Sequence, residues 1–150
     1  VAEAAHLLGI RKVMVVHGLD GIDEISISAA TRAVTIDEDG TATETTLDPA
    51  EFGITGHRIG DLAGGDAADN AAVAREILGG GGSAAIRDAV IVNAAAALTV
   101  YGVTDDIATG AERVRTAFSD GSLERFVDEI VGASQALAEE AARAAAEGVA

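Results

Sequence analysis

Asp20, Asp23 and Glu24 put three carboxylates within five residues, in the run His17-Gly-Leu-Asp-Gly-Ile-Asp-Glu-Ile-Ser26. Like charges that close are stabilised by a counter-cation. Hard oxygen donors in a chain with no Cys and only three His suit Mg²⁺ better than Zn²⁺. The same residues also suit a plain turn, where Asp and Gly are favoured for backbone reasons. His6 and His57 are isolated in sequence, so no His cluster adds to a metal site, and His17 is expected to satisfy backbone groups at a strand end. No serine has a His and an acid at triad spacing, so nothing points to nucleophilic catalysis. Two glycine runs invite a phosphate reading. Gly79 to Gly82 lacks the Lys-Ser/Thr that follows in a P-loop and reads as a linker, and Gly64-Gly65-Asp66 reads as a turn before a helix.

The carboxylates need a strand to hold them. Val13-Met-Val-Val16 is apolar, mostly β-branched and too short for a helix, the pattern of a central strand of a parallel sheet covered on both faces. Ligands collect outside the carboxyl ends of such strands, which is where the loop from His17 to Glu24 falls. Gly18 and Gly21 let that loop turn with positive φ. Before it, Ala2 to Leu8 reads as a helix with a stripe of Ala4, Ala5, Leu7 and Leu8, ended by Gly9. After it, Ile25 and Ile27 alternate with Ser26 and Ser28 as a short half-exposed strand, and Ala33 to Ile36 and Thr41 to Thr46 flank Asp37-Glu-Asp-Gly40 as a hairpin.

Helices dominate the remainder. Asp48 caps a single turn opened by Pro49, and a brief helix or turn covers Asp61 to Gly65. Asp66 caps Ala67 to Leu78, whose core stripe is Ala71, Ala74, Ile77 and Leu78. Ser83 caps Ala84 to about Tyr101, apolar nearly all round as a central helix should be. Asn93 on that helix needs a partner and reads as a tie to a loop. Thr104 opens the next helix, with Gly110 a weak point, through Phe118. Ser122 caps the last, which runs past Val131 into the Ala/Glu-rich stretch 134–150.

The chain of 150 residues is one domain's worth and can bury a real core, but with three Phe, one Tyr and no Trp that core must be aliphatic. Its formal charge is −15, from 25 acids against nine Arg and Lys12. Such a surface repels nucleic-acid phosphates and anionic membranes and reads as a solvated, salt-adapted face. No stretch of 18 residues is uninterruptedly apolar. The chain opens at Val1 without a basic, apolar leader, and the expectation is a cytoplasmic protein whose N-terminal part is missing.

The run His17 to Ser26 closely resembles the signature of the anthranilate phosphoribosyltransferase family. In order down the chain, Leu47-Asp-Pro, Glu51-Phe-Gly53, Leu62-Ala-Gly-Gly-Asp66, Asn70-Ala71, Arg87-Asp-Ala-Val90 and Asn93-Ala-Ala-Ala-Ala-Leu98 resemble further segments at that family's spacing. One departure is Ala29-Ala30-Thr31, where the family usually shows Pro before the Thr. The resemblance implies an α/β fold, the C-terminal portion of a mixed, largely parallel sheet flanked by helices, as in nucleoside phosphorylases and phosphoribosyltransferases. Residues 1–133 would be the C-terminal part of the catalytic domain and 134–150 a helical extension or tail. It implies Mg²⁺ on Asp23 and Glu24, phosphoribosyl pyrophosphate and anthranilate as substrates, and a homodimer formed through an N-terminal helical domain outside this chain. The phosphate loop and the anthranilate-binding residues would also lie upstream, leaving the isolated chain inactive and none of its own residues assigned as catalytic. Two alternatives share the fold. A nucleic-acid-binding relative would want a basic stripe that the charge argues against, and a pyrimidine-nucleoside phosphorylase resembles the Asp-Glu stretch poorly.

Overall fold

The computed structural model describes residues 1–146 and 148. A short helix, α1 (Ala2–Leu7), precedes three strands, β1 (Val13–Gly18), β2 (Thr31–Ile36) and β3 (Ala42–Leu47). Two short 3-10 helices, Pro49–Phe52 and Ile59–Leu62, and four α-helices follow: α2 (Ala67–Leu78), α3 (Ala84–Tyr101), α4 (Ile107–Ser119) and α5 (Ser122–Ala146). The class is α/β, but the expected parallel pairing is absent among the described residues. The sheet order is β1-β2-β3 and both pairings are antiparallel, Val13 facing Ile36 and Thr31 facing Leu47. The apolar run in β1 has another physical origin. Val13 and Val15 pack with Ala2, Ala5, Val34 and Ile36 on the α1 side, while Met14 and Val16 pack on the main core. Coverage of both faces demands continuous apolar residues whichever way the neighbouring strand runs.

That main core lies between the sheet and the pair α3 and α4, around Ile25, Ile27, Ile54, Ile91, Val92, Ala95 and Ala111. α3 is long and apolar enough to cross a membrane, with a mean hydropathy of 1.4 over its 18 residues, yet Val92 and Ala95 on it are completely buried in this core. Ser83 Oγ caps α3 through the Ile86 N–H, and Gly102, with φ 81°, ends it. α4 starts later than the sequence suggested, at Ile107, because the Asp106 carboxylate takes the Thr109 N–H at 2.7 Å. Gly110 is a packing glycine, not a weak point: a Cβ there would stand 2.9 Å from the Ala95 carbonyl oxygen.

Several local expectations fail for the same reason, that burial depends on distant partners. On α1 the covered residues are Ala2 and Ala5, and Leu7 and Leu8 stand in solvent. On α2 only Ile77 is buried, while Ala71 and Ala74 are exposed beside a shallow groove shared with Val127 and Val131 of α5. Residues 25–27 form no strand; Ile25, Ser26 and Ile27 are all buried within the loop joining β1 to β2. The hairpin β2-β3 does form, closed by the Gly40 N–H on the Asp37 carbonyl at 2.9 Å. α5 runs without a break through residue 134, and the remainder of the expected 134–150 extension, residues 147, 149 and 150, lies outside the described residues.

Candidate functional site

The carboxylate loop is built from its ends inward. β1 stops at Gly18, whose N–H donates to the Ile22 carbonyl at 2.9 Å while its own carbonyl accepts from Gly21. Gly21 has φ 100°, as expected of a glycine turn, but Gly18 is needed for space: a Cβ there would meet Ile22 Cγ2 at 2.5 Å. The structure then separates the three carboxylates. Asp20 turns back into the loop, its Oδ2 accepting from Ser26 Oγ at 2.6 Å and Ser28 Oγ at 2.5 Å. The Ser26 hydroxyl first, then that of Ser28, hold its carboxyl below the usual carboxylate range, against a small opposing effect of burial.

Ser26 is the hub of this turn and is 1% exposed. Its N–H donates to Thr31 Oγ1 at 2.9 Å, and its Oγ accepts from the N–H groups of Ser28 and Ala29, each at 3.0 Å. Sequence reasoning missed it; the signal was Ser26-x-Ser28 spaced behind an Asp, a pattern that hydrogen-bonds its own backbone.

Asp23 and Glu24 are left facing out. Both are exposed, and among the described residues neither side chain takes part in an ion pair or hydrogen bond. They line a crevice of about 400 Å³ with Leu62, Asn70, Ile86 and Ala89. Among the described residues no group of three or more His, Asp or Glu is gathered for a metal, so the pair offers two carboxylates and nothing more. That donor set fits Mg²⁺, which keeps several waters and is bound through one or two carboxylates plus substrate phosphate oxygens. It does not fit an all-protein Zn²⁺ cage.

Opposite the carboxylates, the wall 62–66 is closed by its own side chains. Asn70 Oδ1 accepts from the Gly65 N–H at 3.0 Å and Asn70 Nδ2 donates to the Gly65 carbonyl at 3.1 Å. Asp66 takes the Ala68 and Asp69 N–H groups, and Asp69 takes that of Asp66. The N–H groups of Asp66, Ala68 and Asp69 at the start of α2 are thus taken by carboxylates.

The histidines stay apart from the carboxylate pair. His57 Nε2 meets Asp88 Oδ2 at 2.8 Å, fastening the segment after β3 to α3, and His6 Nδ1 meets the Ile10 carbonyl at 3.2 Å. His17 does not make the expected backbone tie. It is exposed, paired in register with Arg32, on the same face of β1 as Val13 and Val15. Asn93 is the loop tie the sequence called for: its carboxamide holds both the N–H and the carbonyl of Ile25, at 2.9 and 3.1 Å. A larger groove of about 820 Å³ runs beside β1, lined by Ile10, Met14, Val16, Ala97 and Tyr101 among others.

The profile of the glycosyl transferase family, a/b domain, matches residues 1–123. The anthranilate phosphoribosyltransferase of Xanthobacter autotrophicus is 41% identical over 143 residues, 95% of this chain and 41% of that protein. The crystal structure of the Thermus thermophilus anthranilate phosphoribosyltransferase superposes with a TM-score of 0.74 at 29% identity, over 87% of this chain and 38% of that one. The Saccharomyces cerevisiae enzyme in complex with PRPP and Mg gives a TM-score of 0.71 at 25% identity, over 86% and 38%. The chain therefore spans about two-fifths of the length of the relatives it matches. With its profile matched from Val1 through the start of α5, this chain belongs to the glycosyl transferase family as part of its a/b domain.

Proposed function

We propose that the chain is the C-terminal part of an anthranilate phosphoribosyltransferase. The enzyme would transfer the phosphoribosyl group of phosphoribosyl pyrophosphate (PRPP) to anthranilate, giving N-(5-phosphoribosyl)-anthranilate and pyrophosphate in tryptophan biosynthesis. One observation carries the reading: in a chain 41% identical to a protein of that name, the adjacent carboxylates of Asp23 and Glu24 face a crevice beyond the C-terminal end of β1 without a protein partner among the described residues.

In this reaction the bond from ribose C1 to pyrophosphate breaks, a bond from C1 to the anthranilate nitrogen forms, and that nitrogen gives up a proton. Negative charge builds on the departing pyrophosphate as C1 becomes cationic. Asp23 and Glu24 would hold Mg²⁺ there, and the ion would supply positive charge to offset it. Being adjacent, the two side chains diverge and offer separate points of attachment. Asp20 remains ionised against its serines and keeps the loop closed beneath them. Leu62, Ile86 and Ala89 make one wall of the crevice apolar.

No proton transfer is assigned to a residue of this chain. The phosphate loop and the anthranilate-binding groups belong to the part of the enzyme outside it, so the isolated chain is inactive. The outer edge of β1, where the larger groove runs, is where the parallel strands of that part would add to the sheet. The whole enzyme is a cytoplasmic homodimer joined through an N-terminal helical domain. The full-length protein, given PRPP, anthranilate and Mg²⁺, should release pyrophosphate as anthranilate is consumed, and EDTA should stop it. Consumption of neither substrate would contradict the assignment.

A further inference from the structure

Asp23 and Glu24 stand between two fixed points. On one side the Ile22 carbonyl is tied to the Gly18 N–H, closing the turn that ends β1. On the other, Ile25 is held three ways: its side chain is 2% exposed in the core, its N–H donates to Asn93 Oδ1 at 2.9 Å, and its carbonyl accepts from Asn93 Nδ2 at 3.1 Å. A second donation from Asn93 Nδ2, to the Ala89 carbonyl one helical turn back at 3.0 Å, fixes the carboxamide on α3. Each polar atom of that side chain meets a complementary partner, so its orientation is set; the flipped amide would oppose donor to donor and acceptor to acceptor. The Ile25 N–H belongs to the peptide unit that carries the Glu24 carbonyl, so gripping it fixes the plane from which Glu24 projects. α3 thus acts twice at the crevice, forming its wall with Ile86 and Ala89 and holding the carboxylate loop with Asn93.

We infer that Asn93 is a positioning residue for divalent-cation binding: from 68 residues away in sequence it holds the Asp23-Glu24 backbone so that both carboxylates are presented together to the metal-pyrophosphate group. The inference rests on the function proposed above. Without the clamp the two carboxylates would still be present, but the backbone joining them to Ile25 would sample more arrangements, and affinity for the cation would fall while the chemistry offered to it stayed the same.

The test uses the full-length enzyme with Asn93→Ala, Asn93→Asp and, as a control one residue along the same helix, Val92→Ala. Asn93→Asp keeps the shape and the acceptor for the Ile25 N–H but sets a carboxylate oxygen against the Ile25 and Ala89 carbonyls. Val92 is 0% exposed in the same core as Ile25 but cannot hydrogen-bond the loop, so its truncation loosens packing while leaving the Asn93 bonds in place. Two quantities are read: the Mg²⁺ concentration for half-maximal transfer, and the hydrogen exchange of the Ile25 amide with no ligand present. Both Asn93 variants should need roughly tenfold more Mg²⁺, the size of effect usual for residues that orient metal ligands, and Asn93→Ala, which removes the acceptor, should exchange the Ile25 amide faster. Val92→Ala should lower the melting temperature and change neither. An unchanged Mg²⁺ requirement in Asn93→Ala, an equal shift in Val92→Ala, or failure of both Asn93 variants to fold would overturn the inference. A wild-type enzyme with no transferase activity would instead sink the proposed function, and the exchange measurement would still decide whether Asn93 holds the loop.

Discussion

Two asparagines make the same pair of hydrogen bonds, Asn70 at the crevice and Asn93 behind the carboxylate loop, and the difference between them is solvent. Asn93 grips Ile25, a residue 2% exposed, while Asn70 grips Gly65 at a surface where both partners are open to water. Breaking the first leaves a buried N–H and carbonyl unsatisfied. Breaking the second exchanges protein partners for water at little cost. Similar geometry therefore carries different weight: the carboxylate loop is held by a clamp that is expensive to open, and the facing wall 62–66 by one that opens readily.

The largest effect should come from what the buried clamp presents. Asp23→Asn or Glu24→Gln in the full-length enzyme removes a full negative charge without changing shape, and a loss of about 10² to 10³ in kcat/KM is expected. Raised Mg²⁺ should restore part of it, and the double variant should lose less than the sum because both act on one pyrophosphate. Turnover within about twofold of wild type for either single variant would remove the metal assignment.

Next in size is the clamp contrast itself. Asn93→Ala should cost about 1–3 kcal/mol of stability, the penalty of stranding buried polar groups, whereas Asn70→Ala should stay within about 0.5 kcal/mol, as surface changes usually do. Urea unfolding of the two variants measures this, and equal costs would erase the distinction drawn between the walls.

Smaller again is the contribution of Asp20. Its carboxyl is held below the ordinary value of 3.8 by Ser26 and Ser28, so the folded state favours the ionised form. The stabilisation is complete above the unfolded value and is lost as pH falls through the lowered native one. Ser28→Ala should move the Asp20 titration, followed by NMR, back toward its ordinary position and flatten that acid limb. An unmoved titration would mean the serine hydroxyl is not what holds the charge.

The smallest and least local effect is the −15 formal charge, shared by both walls. Screening of its self-repulsion predicts a melting temperature that rises with KCl. A flat or falling response would end the salt-adapted reading of the surface.

The sequence was informative at helix caps and at the hairpin turn. The caps Asp48, Asp66 and Ser83 do what their positions suggested, and the Asp37–Gly40 hairpin turn forms. Asn93 was legible as a loop tie because a carboxamide on an apolar helix must find a partner, but that the partner was Ile25, 68 residues earlier, was not. Two of the failures share this non-local character, whereas those at Ser26 and Asp20 arise within one loop. Val13 to Val16 looks the same whether its neighbour is parallel or antiparallel, since the run reports only that both faces are covered. Ser26 was read as the exposed half of an alternation, yet its hydroxyl is consumed by the loop's own backbone and by Asp20. Gly110 looked like a helix weakness because its partner, Ala95 on α3, is invisible in the local sequence. Of the three clustered carboxylates, spacing alone could not say that Asp20 would turn inward and leave Asp23 and Glu24 at the crevice.

Asp23 and Glu24 are proposed to bind the cation that accompanies pyrophosphate. PRPP binding to the full-length enzyme, measured by calorimetry with and without Mg²⁺, tests it most directly. Wild type should bind more tightly when Mg²⁺ is present, and Asp23→Asn should lose most of that gain while binding PRPP alone no more weakly than wild type does. An Asp23→Asn enzyme whose Mg²⁺-dependent gain equals that of wild type would contradict the account.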